Sequence, residues 1–388
     1  MKIVADENIP FAQQAFGHLG DVLLLPGRSL SNEHLKNADI LLVRSITKVN
    51  ASLLDDTPVR FVGTATIGTD HIDLPCLRSR GIAFADAAGA NANSVAEYVV
   101  AALLNLAQKH QFPLAGKSIG IIGVGNIGSR LENFAQALNM KVILNDPPLH
   151  RKTADSRFLP LSQALQADFV TLHVPLARTG PDPTWHLINE QNLTTLKPTA
   201  FLINSSRGPV VDNLALKNAL TQKQLAGAVL DVWENEPNIN IELLNLIEIA
   251  TPHIAGYSFD GKTNGTALLH TAVCKFLQIP NHLQINTLLP PPPTPQITLD
   301  NQPSSDQPQN ATDQLLLLQA FKTIYNITFD DADLRKISAQ PPENRGKSFD
   351  QLRKNYPIRR EAPNTHIKLT RPNPALTAQL ARLGFQTD

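Results

Sequence analysis

The N-terminal part of the chain alternates short apolar runs with stretches of helical length. Residues 2–5, 21–25, 40–43 and 59–62 are short, rich in branched side chains and bounded by Gly, Pro, Asp or Ser. That pattern predicts buried strands. Their spacing predicts βα units around a parallel sheet. Residues 94–109 read as one long helix, with Asn93 or Ser94 able to cap it and Glu97 in its first turn.

A second α/β series begins near Lys117. Its candidate strands are residues 118–122, 141–144, 169–173, 200–204 and 227–230, and a further apolar segment, 247–250, leads into Thr251-Pro252-His253. Residues 262–277 form a plausible helix that could carry the chain back toward the first lobe. The composition then changes. Residues 289–296 contain five prolines, and residues 302–311 are polar and proline-containing, which favours extended, irregular backbone. Residues 313–325 have the spacing of an amphipathic helix. The expected organisation is α/β. A substrate lobe, 1–97, is completed by a return helix near 262–284. A Rossmann-like lobe covers 98–261, and a small α+β domain covers 285–388.

Composition narrows the partners. A chain of 388 residues fits two or three domains. Lys plus Arg number 34 and Asp plus Glu number 34, so no global field attracts nucleic acid or an anionic membrane. Cys76 and Cys274 are far apart and in no C-x-x-C pattern, which suggests neither a disulfide framework nor a metal site. The start carries Asp6 and Glu7 where a secretion signal would be apolar. The longest apolar stretch, residues 98–107, is well short of the ~20 residues of a membrane span. These features predict a cytoplasmic protein with no membrane or nucleic-acid partner.

The apolar run at 119–122 is followed by Gly123-Val124-Gly125-Asn126-Ile127-Gly128 and then by a helical pattern to Leu138. The first glycine permits a tight turn, the second a close approach of backbone to a pyrophosphate, and the third helix–strand packing. The helix start adds free N–H groups and partial positive charge. A glycine loop alone is weak evidence, but here a strand precedes it, a helix follows, and the next strand runs to Asp146. A carboxylate there accepts hydrogen bonds from an adenosine ribose and repels a 2′-phosphate, favouring NAD over NADP.

Three later residues supply candidate chemistry at successive strand ends, where open α/β sheets bind ligands. Arg207, in Asn204-Ser205-Ser206-Arg207-Gly208, can grip a carboxylate with two parallel hydrogen bonds. Glu236, in Trp233-Glu234-Asn235-Glu236-Pro237, can orient and charge-stabilise an imidazole, and His253 offers one able to take or return a hydroxyl proton. Singly each has a bland reading as a surface ion pair or a loop histidine. Their joint position downstream of a dinucleotide loop favours catalysis.

With these motifs the chain resembles the D-isomer-specific 2-hydroxyacid dehydrogenases. The match runs through 123–128, 204–208, 231–237 and 251–256, with Asn93 to Glu97 similar to the family's interdomain helix start. Within that family, residues 43–50, 63–73 and 252–258 resemble a branch acting on 4-phospho-D-erythronate. So does the tail, with Asp333-Leu334-Arg335-Lys336 and residues 349–356, which general members lack. The resemblance implies NAD-dependent oxidation of a small phosphorylated 2-hydroxy acid at C2, on the way to pyridoxal 5′-phosphate. It also implies homodimers formed through the C-terminal domain.

The resemblance assigns Arg207, Glu236 and His253 to catalysis, His253 as the proton donor. Ser45, Thr66 and Tyr257 match substrate positions. Asp146, Asp231, Gly256 and the Ser205, Ser206, Arg207 segment match NAD positions, beside the glycine loop itself. Val174 departs from relatives that carry threonine, so only backbone and packing are expected of it. Arg44 or Lys48, flanking Ser45 after a strand, are candidates for the substrate phosphate. The basic cluster Arg353-Lys354 with Arg359-Arg360 is a second candidate, reaching across a dimer. The active site is expected between two lobes that close to exclude water. Two other readings stay open: a dehydrogenase for another hydroxy acid such as 3-phosphoglycerate, and an NAD-sensing protein without a metabolic reaction.

Overall fold

A computed structural model describes residues 1–302 and 309–388; most of the polar segment 302–311 therefore lies outside the described residues. The chain divides into two compact units. One comprises Met1–Ala92 with Ser258–Pro291, the other Asn93–Tyr257 with Pro292–Asp388.

The first unit is a five-stranded parallel sheet: β1 (Lys2–Asp6), β2 (Asp21–Leu25), β3 (Ile40–Val43), β4 (Phe61–Thr64) and β5 (Ala83–Asp86), in the order β2-β1-β3-β4-β5. β3 and β4 are buried along their whole length, which is why they read as continuous apolar runs. β4 starts two residues later than its apolar run, because Val59 and Arg60 belong to the approach loop. β5 escaped the sequence reading. Its residues Ala83–Asp86 are half-buried and only Phe84 is large. Two apolar layers flank the sheet. One is centred on Leu41, Val43 and Leu54, the other on Ile3, Phe16, Ile40 and Leu269. Leu269 belongs to the returning helix Phe259–Leu277, capped by Ser258, whose hydroxyl accepts from the Gly261 N–H.

The second unit contains a six-stranded parallel sheet: β6 (Ser118–Ile122), β7 (Lys141–Asn145), β8 (Phe169–Leu172), β9 (Phe201–Asn204), β10 (Gly227–Leu230) and β11 (Ile249–Ala250). The order is β11-β10-β9-β8-β6-β7, so the connections reverse direction between β6 and β8. The helix Ala92–Lys109 buries Val95, Tyr98, Val99 and Leu103 among its other residues.

The last hundred residues differ from the expected α+β domain in two ways. Their strands β12 (Gln296–Leu299), β13 (His366–Leu369) and β14 (Gln386–Thr387) are all parallel, with helices between β12 and β13 and between β13 and β14. They also share their core with the nucleotide-type fold. Ile297, Leu317, Phe321 and Leu380 join the same apolar cluster as Tyr98, Leu131 and Phe134. The helix Ile327–Arg335 covers the sheet edge. Asp331 accepts the β11 Ala250 N–H at 2.7 Å, and Arg335 donates to the Leu244 and Ile247 carbonyls. An edge strand thereby loses its open hydrogen-bonding groups.

Candidate active site

The glycine loop follows β6 at the point where the strand order reverses, the usual ligand crevice of such sheets. Gly123 has φ +88°, and a Cβ on it would stand 2.6 Å from the His173 carbonyl oxygen after β8. A Cβ on Gly128 would collide with the Gly123 carbonyl, so the third glycine is needed for helix packing. Gly125 is different. It has open space around it and stands at the start of the helix Asn126–Ala137, which no side chain caps. Gly125 and Asn126 are exposed and Ile127 half-buried. This uncapped helix start, floored by glycine, fits a pyrophosphate. Asp146 directly follows β7 and caps the helix Pro147–Thr153. Its two carboxylate oxygens accept the Val124 N–H at 2.8 Å and the Leu149 N–H at 2.9 Å. A carboxylate has about four lone-pair positions, so acceptor capacity for a ribose remains.

The three catalytic candidates follow the neighbouring strands β9, β10 and β11. The Arg207 loop is held by Asn204, which accepts from the Ser206 N–H and hydroxyl and donates to the Arg207 carbonyl. Ser205 and Ser206 are buried. The Arg207 guanidinium donates to the Ser206 carbonyl at 2.7 Å. A Cβ on Gly208 would fall on the Trp233 carbonyl, so glycine lets this loop close onto the loop after β10.

In that next loop, Glu236 Oε1 accepts the Trp233 N–H at 2.8 Å, and Oε2 lies 2.7 Å from His253 Nδ1. Burial alone pushes the Glu236 carboxyl up. The charge and hydrogen bond of His253, the Trp233 N–H and the charge of Arg353 outweigh it, and the group titrates below an ordinary glutamate. Glu236 is thus held as a carboxylate that orients the ring through Nδ1, leaving Nε2 as the working nitrogen.

His253 itself has φ +57°, a conformation rare for a side chain of this size. Four bonds to Asp231 hold it there. Its N–H donates to the Asp231 carbonyl at 2.7 Å. The Asp231 carboxylate accepts the Ile254 N–H at 2.8 Å and the Ala255 N–H at 3.0 Å. Thr251 Oγ1, which lies 2.8 Å from the buried Tyr98 hydroxyl, also donates to Asp231 at 2.6 Å. Burial pushes the Asp231 carboxyl up against these bonds. Among the described residues, the role visible for Asp231 is to clamp the His253 loop. Gly256 lies in the turn that follows, closed by the Tyr257 N–H on the Ile254 carbonyl.

Sequence reasoning did not find the clamp formed by Tyr98, Thr251 and Ser94, whose hydroxyl donates to the Ala255 carbonyl. It reached Arg353 only as part of a cluster lent to a partner. In the structure Arg353 lies against Tyr257 of its own chain, donating to the Tyr257 hydroxyl at 3.1 Å. Arg359 and Arg360 are buried, so they are no solvated basic face. His186, Asp212 and Glu234 also come together, and their mutual contacts with the bond from Asn213 N–H to Glu234 account for the cluster.

The remaining candidates belong to the first unit. Arg44 and Ser45 follow β3 and Thr66 follows β4. Arg44 Nη1 donates to the Asn8 carbonyl, which follows β1, at 2.9 Å. Ser45 and Lys48 are exposed. The Thr66 hydroxyl lies 2.7 Å from that of Thr64 and donates to the Gly68 carbonyl. Lys262, near the start of the returning helix, was missed. Burial and the Arg44 charge push its ammonium down to about 8. No sequence signal marks it, because the two like charges come from distant segments.

Comparison with known proteins gives the family. The family described as D-isomer specific 2-hydroxyacid dehydrogenase, NAD binding domain, matches residues 90–255, and a family described as a domain of unknown function (DUF3410) matches 288–384. An erythronate-4-phosphate dehydrogenase of Proteus mirabilis is 46% identical over 99% of this chain and 99% of its own length. One from Salmonella arizonae is 44% identical over 99% and 98%. Among solved structures, a D-lactate dehydrogenase from Aquifex aeolicus, complexed with NAD and lactic acid, is 26% identical. It superposes with a TM-score of 0.58 over 72% of this chain and 96% of that one. An acyclic imino acid reductase, 24% identical with a TM-score of 0.61 over 72% and 98%, shares the fold. Among the described residues no helix is long and apolar enough to cross a membrane. The chain therefore belongs to the D-isomer-specific 2-hydroxyacid dehydrogenases, in the erythronate-4-phosphate dehydrogenase branch of these NAD-dependent oxidoreductases.

Proposed function

We propose that the chain oxidises 4-phospho-D-erythronate at C2 to 2-oxo-3-hydroxy-4-phosphobutanoate, a step toward pyridoxal 5′-phosphate. The observation that carries the chemistry is the Glu236–His253 pair, 2.7 Å apart at the sheet edge that also bears Arg207. NAD, when bound at the glycine loop, Asp146, Ser205, Ser206, Asp231 and Gly256, supplies the hydride acceptor. His253 Nε2 takes the C2 hydroxyl proton, Glu236 stabilises the resulting imidazolium, and Arg207 holds the substrate carboxylate. Ser45, Thr66 and Tyr257 are assigned to the substrate's hydroxyl groups, and Arg44 to its phosphate.

The test is NADH formation with 4-phospho-D-erythronate, run beside 3-phospho-D-glycerate and with a 2-oxo acid supplied as acceptor. Preference for the four-carbon acid is expected. Faster turnover of 3-phosphoglycerate, or none of either, removes the reading. Arg44→Ala is expected to lose rate selectively on phosphorylated acids.

We also take the chain to be a cytoplasmic homodimer joined through its C-terminal part. Both cysteines are free, which fits a reducing compartment. Three of the exposed large apolar side chains, Leu315, Phe329 and Ile358, lie in that part, Phe329 at 69% exposure. Light scattering should give twice the chain mass, and a monomer for Phe329→Asp. A monomeric native chain removes the dimer.

A further inference from the structure

We propose that Arg353, delivered by the C-terminal part of the same chain, is a phosphate-binding residue that makes the enzyme select phosphorylated over unphosphorylated acids. The inference rests on the reaction proposed above.

Arg353 is placed by its helix, Pro342–Lys354. Gly346, Phe349 and Arg353 share one face of that helix, at the i, i+3, i+7 spacing. A Cβ on Gly346 would stand 2.5 Å from Asn238 Oδ1 and 3.3 Å from Pro237 Cγ, so glycine lets the helix lie directly on the loop that carries Glu236. Phe349 is fully buried in the adjoining core and Leu352 packs beside it. Two turns beyond Gly346, the Arg353 guanidinium reaches Tyr257. Nη2 donates to the hydroxyl at 3.1 Å, and the guanidinium carbon lies 5.7 Å from the ring centre. Tyr257 also meets Tyr356 in an edge contact at 5.8 Å. The Tyr356 hydroxyl in turn donates to Asp330 at 2.9 Å.

Arg353 keeps hydrogen-bond donors to spare. Its guanidinium has five N–H donors, yet among the described residues the bond to Tyr257 is the one it makes. The Nε atom is buried with no hydrogen-bond partner. Glu236 and Asp350 act on it only through space. Glu236, Asp350 and Tyr257 offset the burial of its charge, but its remaining N–H groups meet no acceptor, and a ligand with several acceptor oxygens can take them. Arg207, in the loop after β9, is already assigned to the substrate carboxylate. The phosphate is then the substrate anion that Arg353 meets, alongside Arg44. A D-lactate dehydrogenase, complexed with an acid that carries no phosphate, is matched by 72% of this chain over 96% of its own length. The family match for the NAD domain ends at residue 255. Arg353 stands in the added segment.

The experiment measures kcat/KM of the native chain, Arg353→Ala and Arg353→Lys on 4-phospho-D-erythronate and on D-erythronate. The ratio between the two substrates should fall by about 100-fold in Arg353→Ala and less in Arg353→Lys, as expected for losing one partner of a desolvated charge pair. An unchanged ratio, with both substrates losing rate equally, overturns the proposal and leaves Arg353 a positioning residue for Tyr257. If the alanine variant does not fold, as judged by NADH binding, inorganic phosphate decides through the lysine variant. It should compete with the phosphorylated substrate several-fold less well than in the native chain, and equal competition overturns the proposal. If the native chain turns over neither acid, the proposed reaction fails rather than the role of Arg353.

Discussion

His253 is useful because its surroundings leave it little freedom. One ring nitrogen meets Glu236 at 2.7 Å, and its backbone is pinned at φ +57° through Asp231. His253→Ala should retain NADH binding and lose turnover by about 10²- to 10⁴-fold, the range of one general acid–base group; normal turnover would rule out the proton role. Glu236→Gln tests the second half of the pair. Glu236 titrates below the ordinary glutamate range, so it is a carboxylate at neutral pH. The glutamine variant keeps an acceptor for the ring and removes the charge, so kcat should fall by about 10-fold or more, and a native kcat would show that Glu236 only positions the ring. Arg207, Glu236 and His253 were legible in the sequence because strand ends are local features. Arg353 and Lys262 were not, because each meets its neighbours through chain segments far apart. Asp146 was legible as a ribose acceptor, but its bonds to Val124 and Leu149 were not, since they depend on how the helix after it turns back.

At the level of elements, buried strands announced themselves and half-buried ones did not. β3, β4, β9 and β10 are fully buried and appear as short apolar runs. β5 and the C-terminal strands present mixed burial and no continuous run. Between elements, glycine decides how closely loops approach. Gly208 is the sharpest case, because the atom a Cβ would meet is the backbone carbonyl of Trp233, which cannot rotate away. Gly208→Ala must separate the Arg207 loop from the Glu236 loop. It is expected to cost about 1–3 kcal/mol, as overpacked sites do, and to lower kcat through displacement of both side chains. Thermal unfolding and kinetics on the same sample check this. A variant with native stability and native kcat would mean the two loops are not held by this contact. Gly125→Ala is the control, since the space around that position is open.

At the scale of the whole molecule, the last hundred residues are built into the larger unit. Ile297, Phe321 and Leu380 share a core with Tyr98 and Phe134, and Asp331 and Arg335 seal the edge of the main sheet. A chain ended after residue 291 should therefore lose stability and bind hydrophobic dyes, as well as losing any dimer; a truncated chain with native unfolding would contradict the shared core.

The same joint carries a buried charge group. Glu97 is fully buried, accepting from Asn93 and from the Ala362 N–H, with Arg359 at 3.9 Å. Arg359 donates to the Ser94 carbonyl and lies 3.7 Å over the Tyr325 ring. Burial and the neighbouring Glu361 charge push the Glu97 carboxyl from 4.5 up to about 8, against the pull of Arg359. Between those values the folded chain holds a proton that the unfolded chain has released. Stability must then fall as pH rises through the window. The contribution is full below 4.5 and lost above about 8. Glu97→Gln keeps a neutral acceptor for Asn93 and Ala362 and removes the titration. Urea midpoints measured from acid to alkaline pH should decline for the native chain and decline less for the variant, so that the two curves converge toward low pH and separate toward high pH. Parallel curves would mean that Glu97 stays ionised in the fold, with Arg359 as its full counter-charge. The joint between the long helix and the C-terminal segment would then be held by an ion pair rather than by a protonated acid.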